Sequence, residues 1–243
     1  MKERPILMSA PMVRSTLADI KNQTRRVAPI ERLDIKEHDG GFVTWSIGFT
    51  KPIGKLRTVG SHSGSLVTVE QARSIIASQF CPYGQPGDRL WVKETWCTGA
   101  KLDSKSPKAI ERQCRDAGYK HGACCPVRYL ADGHATQWGD RDADDFGTWG
   151  KTRVSIHMPR WASRITLEVN SVRVERLQDI SEADAIAEGI ARLADGGYGL
   201  PDGSHYHATD PRISYLSLWG AINGQESVDA NPFVWVIEFA RAP

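Results

Sequence analysis

Long apolar runs are missing from this sequence. Nothing among its 243 residues approaches the roughly eighteen consecutive apolar positions of a membrane-spanning helix. The opening MKERPILMSAPMVR breaks its first apolar patch with a proline and an arginine, too soon for the core of a secretory leader, so the expected location is the cytoplasm. Cysteine is scarce and odd in number: Cys81, Cys97, Cys114, Cys124 and Cys125. Without a leader or a C-x-x-C pair, no disulfide framework is expected. A zinc site drawn from Cys114, His121, Cys124 and Cys125 would ask adjacent cysteines to share one tetrahedral ion, so reduced thiols are the expectation. Also absent are a GxGxxG after a strand, a P-loop, an HExxH pair and any internal repeat. That removes the usual dinucleotide, nucleotide and metalloprotease readings. Net charge is only +2, which neither requires nor forbids nucleic acid.

What is present is an ordinary globular composition, 40% hydrophobic and 25% charged, able to bury a core unaided. A short strand over Pro5–Ser9 precedes a helix opening at Pro11, where the missing N–H of proline is not needed. Val43, Trp45, Ile47 and Phe49 alternate across 41–50 as one face of a half-buried strand. Residues 51–64, rich in Gly, Ser, Lys and Pro, read as loop. A strand over Arg89–Glu94, a helix over Pro107–Ala117 and a strand over Val127–Leu130 follow. RITLEVNSVRVERL places Ile165, Leu167 and Val169, then Val172 and Val174, on a long bent strand or two strands. Ser181 caps the next helix, with Asp184 at its third position. Asp210 and Pro211 start another, with Ile213, Leu216, Trp219 and Ile222 as its buried stripe and Gly224 at its end. The closing PFVWVIEFAR is apolar on both faces and predicts a central strand. Trp45, Trp91, Trp219 and Trp235 are assigned to the core. Many strands, few helices and no βαβ rhythm predict an α+β domain of barrel type.

Charge is unevenly distributed. Arg14, Lys21, Arg25 and Arg26 crowd one segment, and His157, Arg160 and Arg164 another. Acid collects in GDRDADDFG over 139–147, read as a solvated loop rather than a metal site. His205 and His207, in SHYH, are likewise read as loop residues.

Segments in the order strand–helix–KNQTRR, PGDRLWVKETW, RITLEVNSVRVERLQDISEADAIAEGI and PFVWVIEFAR resemble ASCH domains of the PUA-like superfamily. The chain as a whole is similar to prophage-encoded ASCH-like proteins, which share stretches like CPYGQPGDRLWVKETW and SIHMPRWASRITLEV. The resemblance covers about half the chain. It implies an ASCH-type PUA-like β-barrel with peripheral helices, a single domain over 1–243 with insertions at 28–80, 97–155 and 191–210. One ASCH branch, small bacterial amidohydrolases acting on N4-acetylcytidine, carries Lys-x-x-Thr-x-Arg after its first helix, and Lys21, Thr24 and Arg26 stand in that register. Its catalytic glutamate, on the helix after the second long strand, falls on Glu188. Where the family tends to have Gly-Arg before the lysine, this chain has Asp19 and Ile20, and Asn22 replaces a frequent threonine.

Amide hydrolysis requires a nucleophile, a base and a proton donor for the departing amine. The resemblance assigns these roles to Thr24, Lys21 and Glu188 in turn. The bland alternative is a turn whose lysine is answered by Glu188 in a structural ion pair. By the family register Arg26 faces the pocket and Arg25 the solvent. Glu94, at a strand end, either reads an exocyclic amine or forms a salt bridge. His157, Arg160, Trp161 and Arg164 combine cations with an aromatic ring, as stacking and phosphate gripping require; the competing reading is a Pro-turn with Trp161 in the core. The implied function is hydrolysis of an N-acyl group on a modified cytidine-type nucleoside without a cofactor. The alternatives are a non-catalytic RNA-binding module, a ribonuclease, or a phage accessory protein binding a host protein. The partner is a modified nucleoside or RNA, and no membrane is involved.

Overall fold

The computed structural model describes residues 1–39, 42–53, 56–59, 68–118, 127–133 and 149–242. In chain order the elements are β1 (Glu3–Leu7), α1 (Ala10–Leu17), β2 (Gln23–Val27), β3 (Ile30–His38), β4 (Phe42–Ile53), β5 (Leu56–Val59) and α2 (Val69–Phe80). Next come β6 (Arg89–Lys93), β7 (Trp96–Cys97), α3 (Pro107–Asp116), β8 (Arg128–Tyr129) and β9 (Thr166–Arg176). The chain closes with α4 (Glu182–Ala187), β10 (Ala191–Arg192), β11 (Tyr198–Gly199), α5 (Pro211–Asn223), α6 (Gln225–Asp229) and β12 (Phe233–Arg241). They form two compact units, each discontinuous in sequence. No described helix is long and apolar enough to cross a membrane.

The first unit holds Met1–Lys2, Asp19–Asp88 and Glu168–Ala240. Here β12 lies between β9 and β2, which explains why it is apolar on both faces. It pairs antiparallel with β2, setting Thr24 opposite Ile237 and Arg26 opposite Trp235. Val234 and Val236 present one face of β12 to a cluster that includes Leu177, Ala185, Ile190, Tyr215 and Trp219, so α4 and α5 cover that face. A separate antiparallel ladder runs β3–β4–β5. Its Val43, Trp45, Ile47 and Phe49 are buried as the alternation predicts, with Trp45 and Phe49 meeting the edge of Phe80 from α2.

The second unit holds Glu3–Ala18, Arg89–Leu167 and Arg241–Pro243. β1 runs parallel to β6, and β7 pairs with β8. Trp96, Met158 and Ala162 form a small core joined by Trp161, which also packs on Leu102, Ile110 and Cys114.

Several expectations change. The barrel is not found: every sheet among the described residues is an open ladder, with β1 paired only to β6 and β2 only to β12. A barrel needs a closing pair of strands, and these end strands do not supply one. The architecture is mixed α+β with open sheets. The described residues of the segment expected as loop over 51–64 are strand. Lys51–Ile53 complete β4, and β5 pairs back on it (Ile53↔Leu56, Gly48↔Thr58), since ladder bonds outweigh the local Gly and Pro content. Positions 54–55 and 60–64 of that segment lie outside the described residues, as do 139–147. Trp91 is only half-buried, with Lys93 Nζ 5.6 Å from its ring centroid. Cys81 and Cys97 are buried, but Cys114 is disulfide-bonded rather than a reduced thiol. His121, Cys124 and Cys125 lie outside the described residues.

The buried stripe of α5 is also shifted. Ile213 and Ile222 are 48% and 52% exposed, whereas Pro211, Ser214, Tyr215 and Trp219 are buried. The helix turns a small polar residue and a tyrosine inward because Ser214 Oγ donates to the carbonyl of Tyr198 at 2.8 Å and Tyr215 meets buried charge. Urea denaturation should therefore separate these positions: Trp219→Ala should cost about 3–5 kcal/mol, while Ile213→Ser should change stability by no more than about 0.5 kcal/mol.

Candidate functional site

The candidate site lies in the first unit and begins with a turn. Asp19 adopts φ 56°, the left-handed region. The Asn22 N–H then donates to the Ala187 carbonyl at 3.0 Å, and the Phe239 N–H donates to the Asn22 carbonyl at 2.9 Å. These bonds pin the turn between the end of α4 and β12, so Lys21 meets the last turn of α4. Lys21 Nζ donates to the Glu188 carbonyl at 2.7 Å and to Glu188 Oε2 at 2.6 Å. The carbonyl is one that the helix end leaves unsatisfied, and a cation there also complements the helix dipole. Both side chains are essentially removed from water, at 1% and 2% exposure.

Beside this pair sits Arg25. Its NH1 donates to Gln23 Oε1 at 2.6 Å and reaches Glu188 Oε1 at 3.4 Å. NH2 bonds Glu175 and lies 3.1 Å from Asp184 Oδ2. Arg173 extends the network, contacting Glu175 at 3.2 Å, Asp184 at 2.9 Å and Glu238 at 2.6 Å. Gln23 Nε2 donates to Asp184 Oδ1 at 2.8 Å. The Arg25 guanidinium lies 5.8 Å from the Tyr215 ring centroid. Arg25 is thus not the surface charge expected; it is 3% exposed, while Arg26 is half-buried. Strand alternation puts Arg25 on the face covered by α4 and α5, and Thr24 and Arg26 on the opposite face.

Electrostatics follow from this packing. Burial pushes the Lys21 ammonium below its ordinary pKa, against the charge and hydrogen bond of Glu188. Burial also opposes the Arg25 charge, but Glu188 and Glu175 outweigh it and its pKa ends above the ordinary value. For Asp184 burial favours the neutral acid, yet the Gln23 hydrogen bond and the charges of Arg173 and Arg25 win, bringing it down to about 2. Burial, reinforced by the Glu188 charge, holds the Tyr215 phenol well above 10.

Thr24 is fully buried, and its hydroxyl makes no hydrogen bond; Trp235 Nε1, also buried and on the same sheet face, makes none either. Of the expected catalytic residues, Lys21 and Glu188 therefore meet directly, while the Thr24 hydroxyl touches neither. Its freedom is notable in itself, because buried hydroxyls are seldom left without a partner.

The expected binding residues of the second unit are largely occupied by one another. Glu94, 1% exposed, receives Arg164 through both oxygens, each at 3.0 Å. Arg164 also bonds Asp132 at 2.7 and 2.9 Å and stacks 4.0 Å from the Tyr129 ring centroid. Burial raises Glu94, with Arg164 opposing it, and burial takes Tyr129 up to about 12. Arg160 is held by Glu3 at 3.0 Å and by Thr166 at 3.1 Å. Trp161 packs edge-on against Trp96 with centroids 5.6 Å apart, and His157 is exposed. His207 turns Nδ1 onto the Asp210 N–H at 3.0 Å and helps start α5.

Gln23, Arg25, Arg173, Glu175, Asp184, Tyr215 and Glu238 were not singled out for the site from sequence. The period-two rule alone would have put Gln23 and Arg25 on a common face. For Glu175 and Asp184 no local signal exists, since one sits in a strand and the other reads as a helix-cap residue.

Glu188→Leu leaves Lys21 buried without its carboxylate and should cost about 3–5 kcal/mol in urea denaturation, with Lys21→Met/Glu188→Leu recovering much of that loss. Asp184 has a folded pKa of about 2 against an ordinary 3.8, so its stabilisation is present above the ordinary value and is lost as pH falls through the folded one. Asp184→Asn should accordingly flatten the pH dependence of stability across that acid window. No protein-family model, curated protein or solved structure matches this chain, so its site is defined by its own geometry.

Proposed function

We propose that this protein is an amidohydrolase that removes an N-acyl group from a modified cytidine-type nucleoside, acting in the cytoplasm and allied by its segments to the ASCH amidohydrolases. The observation that carries the reading is the buried Lys21–Glu188 pair, 2.6 Å apart, with a buried threonine hydroxyl free of hydrogen bonds three positions along the chain. Desolvation brings the lysine closer to a pKa at which it can accept a proton. The left-handed Asp19 adds support, because it keeps the backbone conformation that the family's glycine favours.

In the proposed reaction the Thr24 hydroxyl attacks the acyl carbon and its proton passes to the Lys21 amine. Glu188 relays that proton to the departing exocyclic nitrogen. Water then cleaves the acyl-threonine ester, releasing the carboxylic acid and restoring the hydroxyl. Lys21 is held by its bonds to Glu188, and Thr24 lies on the face of β2 opposite Arg25, so the transfer needs bound substrate to bring hydroxyl and amine together. The RNA-binding alternative draws less support, because Arg160 and Arg164 are already paired with carboxylates.

The test is acetate release from N4-acetylcytidine by the purified chain. Wild type is expected to turn over, with Lys21→Ala, Glu188→Gln and Thr24→Val each lowering kcat/KM by about 100-fold or more while circular dichroism stays native. Absence of turnover from folded wild type, or full activity in Thr24→Val, would overturn the proposal.

A further inference from the structure

We infer that Arg25 is a positioning residue for the Lys21–Glu188 pair, holding the Glu188 carboxylate in place and making Lys21 release its proton more readily. The inference rests on the reading above for its catalytic meaning, but its physical content concerns the pair alone. The two oxygens of Glu188 are divided between two cations. Oε2 receives Lys21 Nζ at 2.6 Å, and Oε1 receives a guanidinium N–H of Arg25 at 3.4 Å. A carboxylate gripped at both oxygens resists rotation, so Oε2 stays turned to the lysine. Arg25 is itself fixed. The same nitrogen donates to Gln23 Oε1 at 2.6 Å, while the other terminal nitrogen bonds Glu175 and lies 3.1 Å from Asp184 Oδ2. The guanidinium stands 5.8 Å from the Tyr215 ring centroid, and at 3% exposure the residue is closed off from solvent.

The charge matters as much as the grip. A guanidinium and an ammonium that share one carboxylate inside the protein repel each other more strongly than they would in water. Arg25 therefore favours the neutral amine of Lys21, in the same direction as burial and Arg26. The remaining acids pull the other way, but Glu175 and Asp184 each meet both Arg25 and Arg173, and Glu238 meets Arg173. The Tyr215 phenol, held well above 10 by burial, adds no charge in the neutral range. Of the cations in the network, Lys21 and Arg25 contact Glu188, whereas Arg173 contacts Glu175, Asp184 and Glu238. A lysine at position 25 would supply the charge without the planar fork that serves several acceptors at once.

Two variants separate charge from grip. Arg25→Gln removes the charge and keeps a hydrogen-bonding side chain, and Arg25→Lys keeps the charge and removes the fork. Uniformly 15N-lysine-labelled proteins would be titrated by NMR, with the Lys21 Nζ signal assigned by its loss in Lys21→Met. The Lys21 midpoint should rise by about one pH unit in Arg25→Gln and stay within about 0.3 unit of wild type in Arg25→Lys. The ascending limb of the acetate-release pH profile should move up with the midpoint in Arg25→Gln. In Arg25→Lys the limb should stay while kcat falls about tenfold, because Glu188 is less well held. Wild type supplies a reading that needs neither variant to fold: the Arg25 guanidinium N–H protons, assigned through bonds to the backbone, should exchange slowly with water and show nuclear Overhauser contacts to the Glu188 side chain. A raised midpoint in Arg25→Gln without wild-type turnover would uphold the role of Arg25 on the pair and remove the amidohydrolase reading alone. An unchanged midpoint in folded Arg25→Gln, an equal rise in Arg25→Lys, or no contact between the Arg25 guanidinium and Glu188 in wild type would overturn the inference.

Discussion

Two cations taken out of water, Lys21 and Arg25, constrain the first unit more than any apolar contact. Removing an ammonium or a guanidinium from solvent is costly unless carboxylates meet it with good geometry. Those carboxylates come from elsewhere: Glu175 from β9, Asp184 from α4 and Glu188 from the end of α4. Because the turn before β2 must set Lys21 against the end of α4 while β2 sets Arg25 against β9 and α4, the register of β2 on β12 and the docking of α4 are coupled. A slip of one residue that put Thr24 in the place of Arg25 would leave the acids unanswered. Such networks are weak contributors to net stability compared with apolar packing, so their value lies in specifying one arrangement and in poising protons.

Arg164 meets the same requirement differently in the second unit. It is partly exposed, makes a two-pronged contact with buried Glu94, a second with Asp132, and rests on the Tyr129 ring. A planar fork suits this role where a lysine would not, because the guanidinium can bond two carboxylates while stacking. The consequence for recognition is direct. Cations already neutralised by local carboxylates offer little to a phosphate backbone, although the aromatic and basic composition around Trp161 suggests nucleic acid when read along the chain alone.

The chemistry of the site turns on contrast between its parts. Lys21, Glu188 and Arg25 are mutually satisfied, whereas the Thr24 hydroxyl is buried and makes no bond. The satisfied network supplies rigidity, while the Thr24 hydroxyl stays enclosed and unbonded.

Much of the secondary structure was legible because it rests on local rules. The alternation of Val43, Trp45, Ile47 and Phe49, the Ser181 and Asp210 caps, Pro11 at the start of α1 and the doubly apolar β12 all follow from short-range sterics and burial. Lys21 and Glu188 were legible only through the resemblance, which set two residues far apart in sequence on one site. The tertiary structure decided the rest. Whether sheets close depends on which strand edges meet, and residue order does not encode this locally; here the edges remain open. The inward face of α5 was set by the Tyr198 carbonyl that receives Ser214 and by the buried Arg25 beside Tyr215, against simple hydrophobic periodicity. Arg25 is buried because carboxylates from β9 and α4 converge on it. The sequence by itself determined the elements and their caps, whereas the destination of each charge depended on long-range packing, since the cost of burying a charge can be known only once its partners are in place.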